Sequence, residues 1–275
     1  MFIPLRVEST EVKRLRESNN DLPLPDITQI QEGFYAKLLE QCKSSNGTIN
    51  GSDLQFLLFP FDKDNYDIFI SHSHNDKDLA LYLYAWLTQR CGMSCFIDEV
   101  LWYSSDALLK EIDKQYCRIQ GSSTYDYNKR NFSTSHVHAM LSMAMLEGID
   151  RSECCLIIES DRSLTLNEGI ECKTLSPWIY QEVQFATHLR HKVPPRLQNR
   201  IVRLFCASEG GRLLCETRND SQALKVDYEL ELDSFLRITE SDLSALRGRG
   251  ASGLDDIYMR YLQRRPDRHV RFLPK

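Results

Sequence analysis

The spacing of apolar and polar positions changes character near residue 65. Residues 1–25 are polar, run out through the proline-spaced DLPLPD, and read as an arm or linker. DITQIQEGFYAKLLEQC (26–42) sets Ile27, Ile30, Phe34 and Leu38 on one helical stripe, with Asp26 as N-cap. The turn-rich SSNGTINGSD (44–53) ends that helix, and LQFLLFPF (54–61) is a short apolar piece. Together these segments predict an appended, N-terminal helical extension over residues 1–64.

From residue 65 the pattern alternates between strand and helix. YDIFIS (66–71), MSCFID (93–98), ECCLIIES (153–160) and RIVRLFC (200–206) are short apolar runs bounded by polar residues, as expected of strands buried on both faces. Between them, NDKDLALYLYAWLTQRCG (75–92) places Leu79, Leu83, Trp86 and Leu87 at helical spacing and stops at Gly92. DALLKEIDKQYC (106–117), STSHVHAMLSMAMLEGID (133–150) and SPWIYQEVQFATHLRH (176–191) predict further helices, with RIQGSSTYDYNKRNF (118–132) as an inserted loop. YELELDSFL (228–236) adds a strand and GLDDIYMRYL (253–262) a closing helix. Alternation of this kind predicts an α/β fold with a central, mostly parallel sheet covered on both faces. Ligands of such folds bind at the carboxyl ends of the strands. Three polar segments converge there: SHSHND (71–76), DEVLWYSSD (98–106) and SDRSLTLNEGIECKTLSPW (160–178).

Composition narrows the classes of function. The 275 residues carry 34 basic against 39 acidic side chains, a net charge of −5. That balance argues against nucleic acid as a partner. The excess of basic residues is local: Arg260, Arg264, Arg265, Arg268, Arg271 and Lys275 face only Asp267 in the last sixteen positions, predicting a basic tail over 263–275. No apolar run approaches the roughly 20 residues a membrane helix needs. MFIPLRVESTEVKRLRE does not read as a secretory signal, so a cytoplasmic protein without a membrane partner is expected. The cysteines number nine, an odd count without any CxxC pair, and Cys154 and Cys155 lie in an apolar run. They read as core residues in a reducing compartment rather than zinc ligands or bridges.

SPWIYQE (176–182) is the stretch richest in chemistry. Ser176 suits an N-cap and Pro177 the first helical position, so the helix start is well marked. Trp178 and Glu182 are four apart and share one face, which predicts a carboxylate beside an indole at the mouth of the crevice.

Taken in order, YDIFISHSHNDKDLA (66–80), CFIDE (95–99), ECCLIIES (153–160) and SPWIYQE (176–182) resemble a Toll/interleukin-1 receptor (TIR) domain of the bacterial, NAD-cleaving, antiphage-defence type. The resemblance covers about residues 65–262 and implies a flavodoxin-like three-layer fold. It implies that Glu182, the glutamate of W-x-x-x-E, is catalytic in breaking the nicotinamide–ribose bond of NAD⁺, with Trp178 shaping the pocket. NAD⁺ is then substrate, and no cofactor or metal is called for. Ser71, His72 and Ser73 would sit near the ligand. Asp98 would open the loop after the second strand, Trp102 within that loop would stack on a base, and Ser160 would face the same crevice. Family behaviour further implies homo-oligomers through TIR–TIR contacts, and a downstream effector that reads a nucleotide product. The segments between Trp102 and Glu153 and between Asp161 and Leu175 are longer than the compact family pattern, and the second of them is placed to lid the pocket. Two other readings stay open: a TIR–TIR interaction module that catalyses nothing, and an N-glycosidase resembling nucleoside deoxyribosyltransferases.

Overall fold

The computed structural model describes residues 2–25, 33–59, 61, 65–161, 165–166, 172–174, 176–190, 192–198, 200, 228–230 and 232–264. The strands are β1 (Leu5–Glu8), β2 (Tyr66–Ser71), β3 (Cys95–Ile97), β4 (Ser152–Glu159), β5 (Thr165–Leu166), β6 (Cys172–Thr174), β7 (Tyr228–Glu229) and β8 (Leu236–Ile238). The α-helices are α1 (Ser9–Ser18), α2 (Phe34–Gln41), α3 (Gly51–Leu58), α4 (Lys77–Ala85), α5 (Glu99–Ile112), α6 (Tyr127–Arg151), α7 (Pro177–His188), α8 (Glu240–Ala245) and α9 (Gly253–Arg264).

The fold is α/β, built on a five-stranded parallel sheet in the order β3-β2-β4-β1-β8 and flanked by helices in the flavodoxin-like manner. β2 and β4 pair at its centre, from Tyr66 beside Ser152 to Ser71 beside Ile157. Both are buried on both faces, which is why each reads as a nearly continuous apolar run. The steps from β1 to β2 and from β2 to β3 cross the sheet in one direction, whereas β4 to β8 runs the other way. Right-handed connections therefore put α7 on the opposite face from α1 and α4. Tyr82 pins the α1–α4 layer: its hydroxyl donates to the carbonyls of Leu15 (3.2 Å) and Asn19 (3.0 Å). After α4 the chain makes a π-helical turn, Trp86–Arg90, and Gly92 releases it at φ 72°, a left-handed conformation that glycine adopts without a steric cost.

These elements belong to one compact unit, residues 1–25, 65–97 and 149–275. Residues 26–64 and 98–148 form a second unit. Within it the Asn50 side chain caps α3 by accepting from the amides of Ser52 (3.1 Å) and Asp53 (3.3 Å). The turn that follows α5 is held to α6 by Arg130, which donates to Asp113 at 2.8 Å.

Several elements differ from the sequence-based expectation. Residues 1–25 are not an arm: they supply β1, paired between β4 and β8, and α1. Leu5 and Val7 are fully buried, while the intervening Arg6 meets Glu159 at 2.9 Å. A four-residue strand that alternates apolar with charged positions is too short for its periodicity to stand out. DEVLWYSSD is not a loop but the start of α5, which begins at Glu99. It contains no glycine or proline to break a helix, and Glu99 suits the first turn. LQFLLFPF falls mainly in α3, and the supposed loop 118–132 is helical from Tyr127. Part of the long segment after Asp161 is structured, because β5 and β6 pair antiparallel there and β6 pairs with β7. The strand expected at 228–236 is divided between β7 and β8. Positions 26–32, with the helix start expected there, lie outside the described residues, as do the strand expected at 200–206 beyond Arg200 and the basic tail from 265 on. No helix among the described residues is long and apolar enough to cross a membrane.

Leu5→Ala tests the place of β1. Truncating a buried leucine in a central strand is expected to cost about 2–5 kcal/mol, read as a lower urea midpoint at unchanged slope. A peripheral arm would tolerate the change to within about 0.5 kcal/mol.

Candidate functional site

The parallel pairing of β2 with β4 brings their carboxyl ends side by side, and from there the chain departs in opposite directions across the sheet. A reversal of that kind marks the usual place for a ligand in an open α/β sheet. Ser71 is the last residue of β2, on the same face as Phe69, and is fully buried. The chain continues through His72, also buried, and half-buried Ser73 into a short 3₁₀ turn, His74–Asp76, that leads into α4. The turn closes where the Asp76 amide donates to the Ser73 carbonyl at 2.7 Å. Ser160 is the first residue beyond β4.

The helix over this face starts as its residue types dictate. The Ser176 hydroxyl accepts from the Ile179 amide at 3.3 Å, and Pro177 occupies the first turn, where its missing N–H costs nothing. Trp178 follows, half-buried, and Glu182 comes one turn later. Tyr180 stacks on Tyr228 with ring centroids 4.5 Å apart, joining α7 to the small antiparallel sheet.

Two serine–carboxylate pairs stand out. Ser71 donates its hydroxyl proton to Glu182 Oε2 at 2.5 Å, and Ser160 donates to Asp76 Oδ2 at 2.5 Å. Glu182 is 1 % exposed and Asp76 7 %. A carboxylate held this deep is costly unless hydrogen bonds replace its water, and the serines at the two strand ends provide one each. The expected placement of Glu182 at the mouth of the crevice is thus corrected: its carboxylate is inside, against the end of β2. Asp76 was not singled out in the sequence, where it reads as an ordinary acidic residue before a helix. Its one signal is its position, five residues past the end of a buried strand.

The structure therefore joins Ser71 to Glu182, and Ser160 to Asp76. His72, Ser73 and Trp178 lie on the same elements. Asp98 and Trp102 belong to the second unit. Asp98 is buried directly after β3, and Trp102 is on α5 rather than in a loop, where its expected stacking lies outside the described side chains. Burial pushes the Cys91 thiol up to about 12 and raises Cys154 strongly, so neither is a thiolate near neutrality. A cavity of about 530 Å³ lies elsewhere, along β8, and is lined by neither Glu182 nor Asp76.

What the arrangement can do is bounded by its groups. An ionised carboxylate only accepts hydrogen bonds. A pair of them, each oriented by a serine, suits the holding of hydroxyl groups or the stabilisation of a developing positive charge. Comparison with protein-family models, curated proteins and solved structures found no match to the chain.

Ser71→Ala is expected to destabilise the fold by about 1–3 kcal/mol, because a buried carboxylate oxygen loses its donor. Ser160→Ala, at a half-buried position, should cost less. Urea denaturation of the two variants beside the parent gives the comparison.

Proposed function

We propose that this chain is a TIR-type enzyme that cleaves the nicotinamide–ribose bond of NAD⁺, with Glu182 as the catalytic carboxylate. The observation that supports this most is the Glu182 carboxylate itself, buried on α7 and held by Ser71 at the carboxyl end of a central strand. Breaking that glycosidic bond leaves an oxocarbenium-like ribose, and a carboxylate close to the sugar stabilises the charge and takes up ribose hydroxyls. Nicotinamide departs as a neutral molecule from a cationic pyridinium, so no general acid is needed. The role of Ser71 is to fix the orientation of the carboxylate, and that of Asp76 and Ser160 is to order the neighbouring wall of the crevice. Trp178, on the first turn of α7, shapes the entrance. Water attacking the sugar gives linear ADP-ribose, and attack by the adenine of the same molecule gives a cyclic product.

Because Glu182 is shut off from solvent, substrate reaches it only when the groups covering it move. That requirement fits activity that depends on association of several copies; the TIR resemblance adds a product read by a downstream effector in bacterial antiviral defence. The same burial supports a second reading. A glutamate hidden beneath a serine also serves as a purely structural bond, and the chain would then be a TIR–TIR interaction module without chemistry.

Nicotinamide release from NAD⁺ by concentrated protein, with products resolved by mass, separates the two. Glu182→Gln is expected to lower turnover by at least about 100-fold, and Ser71→Ala by about 10-fold through loss of orientation. Silence of the parent protein at assembly-promoting concentration would decide for the interaction module, and equal turnover by Glu182→Gln would overturn Glu182 as the catalytic carboxylate.

A further inference from the structure

The β1–β8 side of the sheet carries charges where a parallel sheet is ordinarily apolar. Arg6 and Arg237 are register partners on neighbouring strands, so two guanidinium side chains leave the same face about 4.8 Å apart at their backbones. Like charges placed side by side oppose strand pairing. Glu159 relieves the pair, accepting from Arg6 at 2.9 Å and lying 3.6 Å from Arg237, and Glu8 accepts from Arg237 at 2.7 Å. A third arginine, Arg260 on α9, donates to Asp242 at 2.5 Å.

All three arginines line the cavity of about 530 Å³ noted above, whereas Glu8 and Glu159 do not. Asp242 is the one acidic residue among its described lining groups. Although desolvation pushes its carboxyl up, Arg260 and Thr239 hold it below the ordinary range, so it stays ionised and bonded to them. The floor is apolar: Phe235, Ile238, Ile257 and Tyr261 are all buried. The rim is cationic and reachable, with the Arg237 and Arg260 side chains 54 % and 51 % exposed. Arg6 Nε is buried and makes no hydrogen bond within the protein.

We infer that this cavity is a binding site for a small aromatic phosphate, of the size and chemistry of a nucleoside monophosphate. Its volume lies within the roughly 300–1,000 Å³ of small-molecule pockets. A flat ring covers the apolar floor, while the phosphate takes the donors that the three guanidiniums do not spend on Glu159, Glu8 and Asp242. Guanidinium groups suit this task because their planar fork matches two phosphate oxygens at once. A bare anion would leave the floor wetted, and an uncharged ring would leave the exposed Arg237 and Arg260 guanidiniums unused. The site stands apart from the Ser71–Glu182 pair and does not depend on the reaction proposed for it.

Titration calorimetry of the full chain with AMP, adenosine and inorganic phosphate tests the inference. AMP should bind more tightly than either fragment, and its affinity should fall as salt is raised. Two variants keep the test independent of folding, since both alter exposed groups. Arg237→Gln combined with Arg260→Gln removes donors from the rim, and Ser241→Glu leaves every arginine in place but sets a carboxylate among them. Each should weaken AMP by about tenfold or more, whereas Glu182→Gln should leave it unchanged. The inference is overturned if none of the three probes binds at millimolar concentration, or if adenosine binds as tightly as AMP. AMP binding that survives both rim variants but is lost in Glu182→Gln would also overturn it, by assigning the nucleotide to the other site.

Discussion

Everything at the candidate site depends on the pairing of β2 with β4. Each strand is buried on both faces, and the two pair in parallel at the centre of the sheet. That register sets Ser71 beside Ile157 and brings the two strand ends level. The chain must leave those ends in opposite directions, because β3 lies to one side and β1 and β8 to the other. The place where open α/β sheets bind ligands follows from that reversal. So does the placement of α7, whose start is marked by Ser176 and Pro177 and whose second turn delivers Glu182 to the end of β2.

The two serine–carboxylate pairs show how the fold tolerates acids near its core. An isolated carboxylate at 1 % exposure would be costly, and the hydroxyl of Ser71 offsets part of that cost. The result is a group both sheltered and oriented, the condition under which a charge acts strongly on a neighbouring substrate. The same shelter keeps water away from it. Burial of Glu182 is therefore the feature on which an enzymatic and a purely structural account agree, and they diverge only in whether that cover opens.

At the other side of the sheet the balance of charge is struck differently. Arg6, Arg237, Glu159 and Glu8 form a chain of alternating charge that runs from the buried interior out to solvent. This chain explains why a strand with two charged residues among its four holds a central position. Its arginines also face the cavity, so the residues that make β1 compatible with the sheet are the ones that give the cavity its cationic rim.

The α/β class, the strands at 66–71 and 153–160, and the start of α7 were legible in the chain, because long apolar runs and capping residues act locally. Gly92 likewise ended its helix where its freedom at positive φ is used. The role of residues 5–8 was not legible: a short strand with charges at alternate positions is stable only once Glu159 and Arg237 are beside it, and both are distant in sequence. The segment 98–106 was misread because acidic and aromatic residues suit a loop and a helix start equally well, and the chain is helical from Glu99. Residue identity put Glu182 on a helix face four positions from Trp178. Only the tertiary structure decided that its carboxylate lies against Ser71 rather than in solvent, since that depends on which strand end a helix more than a hundred residues later is laid across.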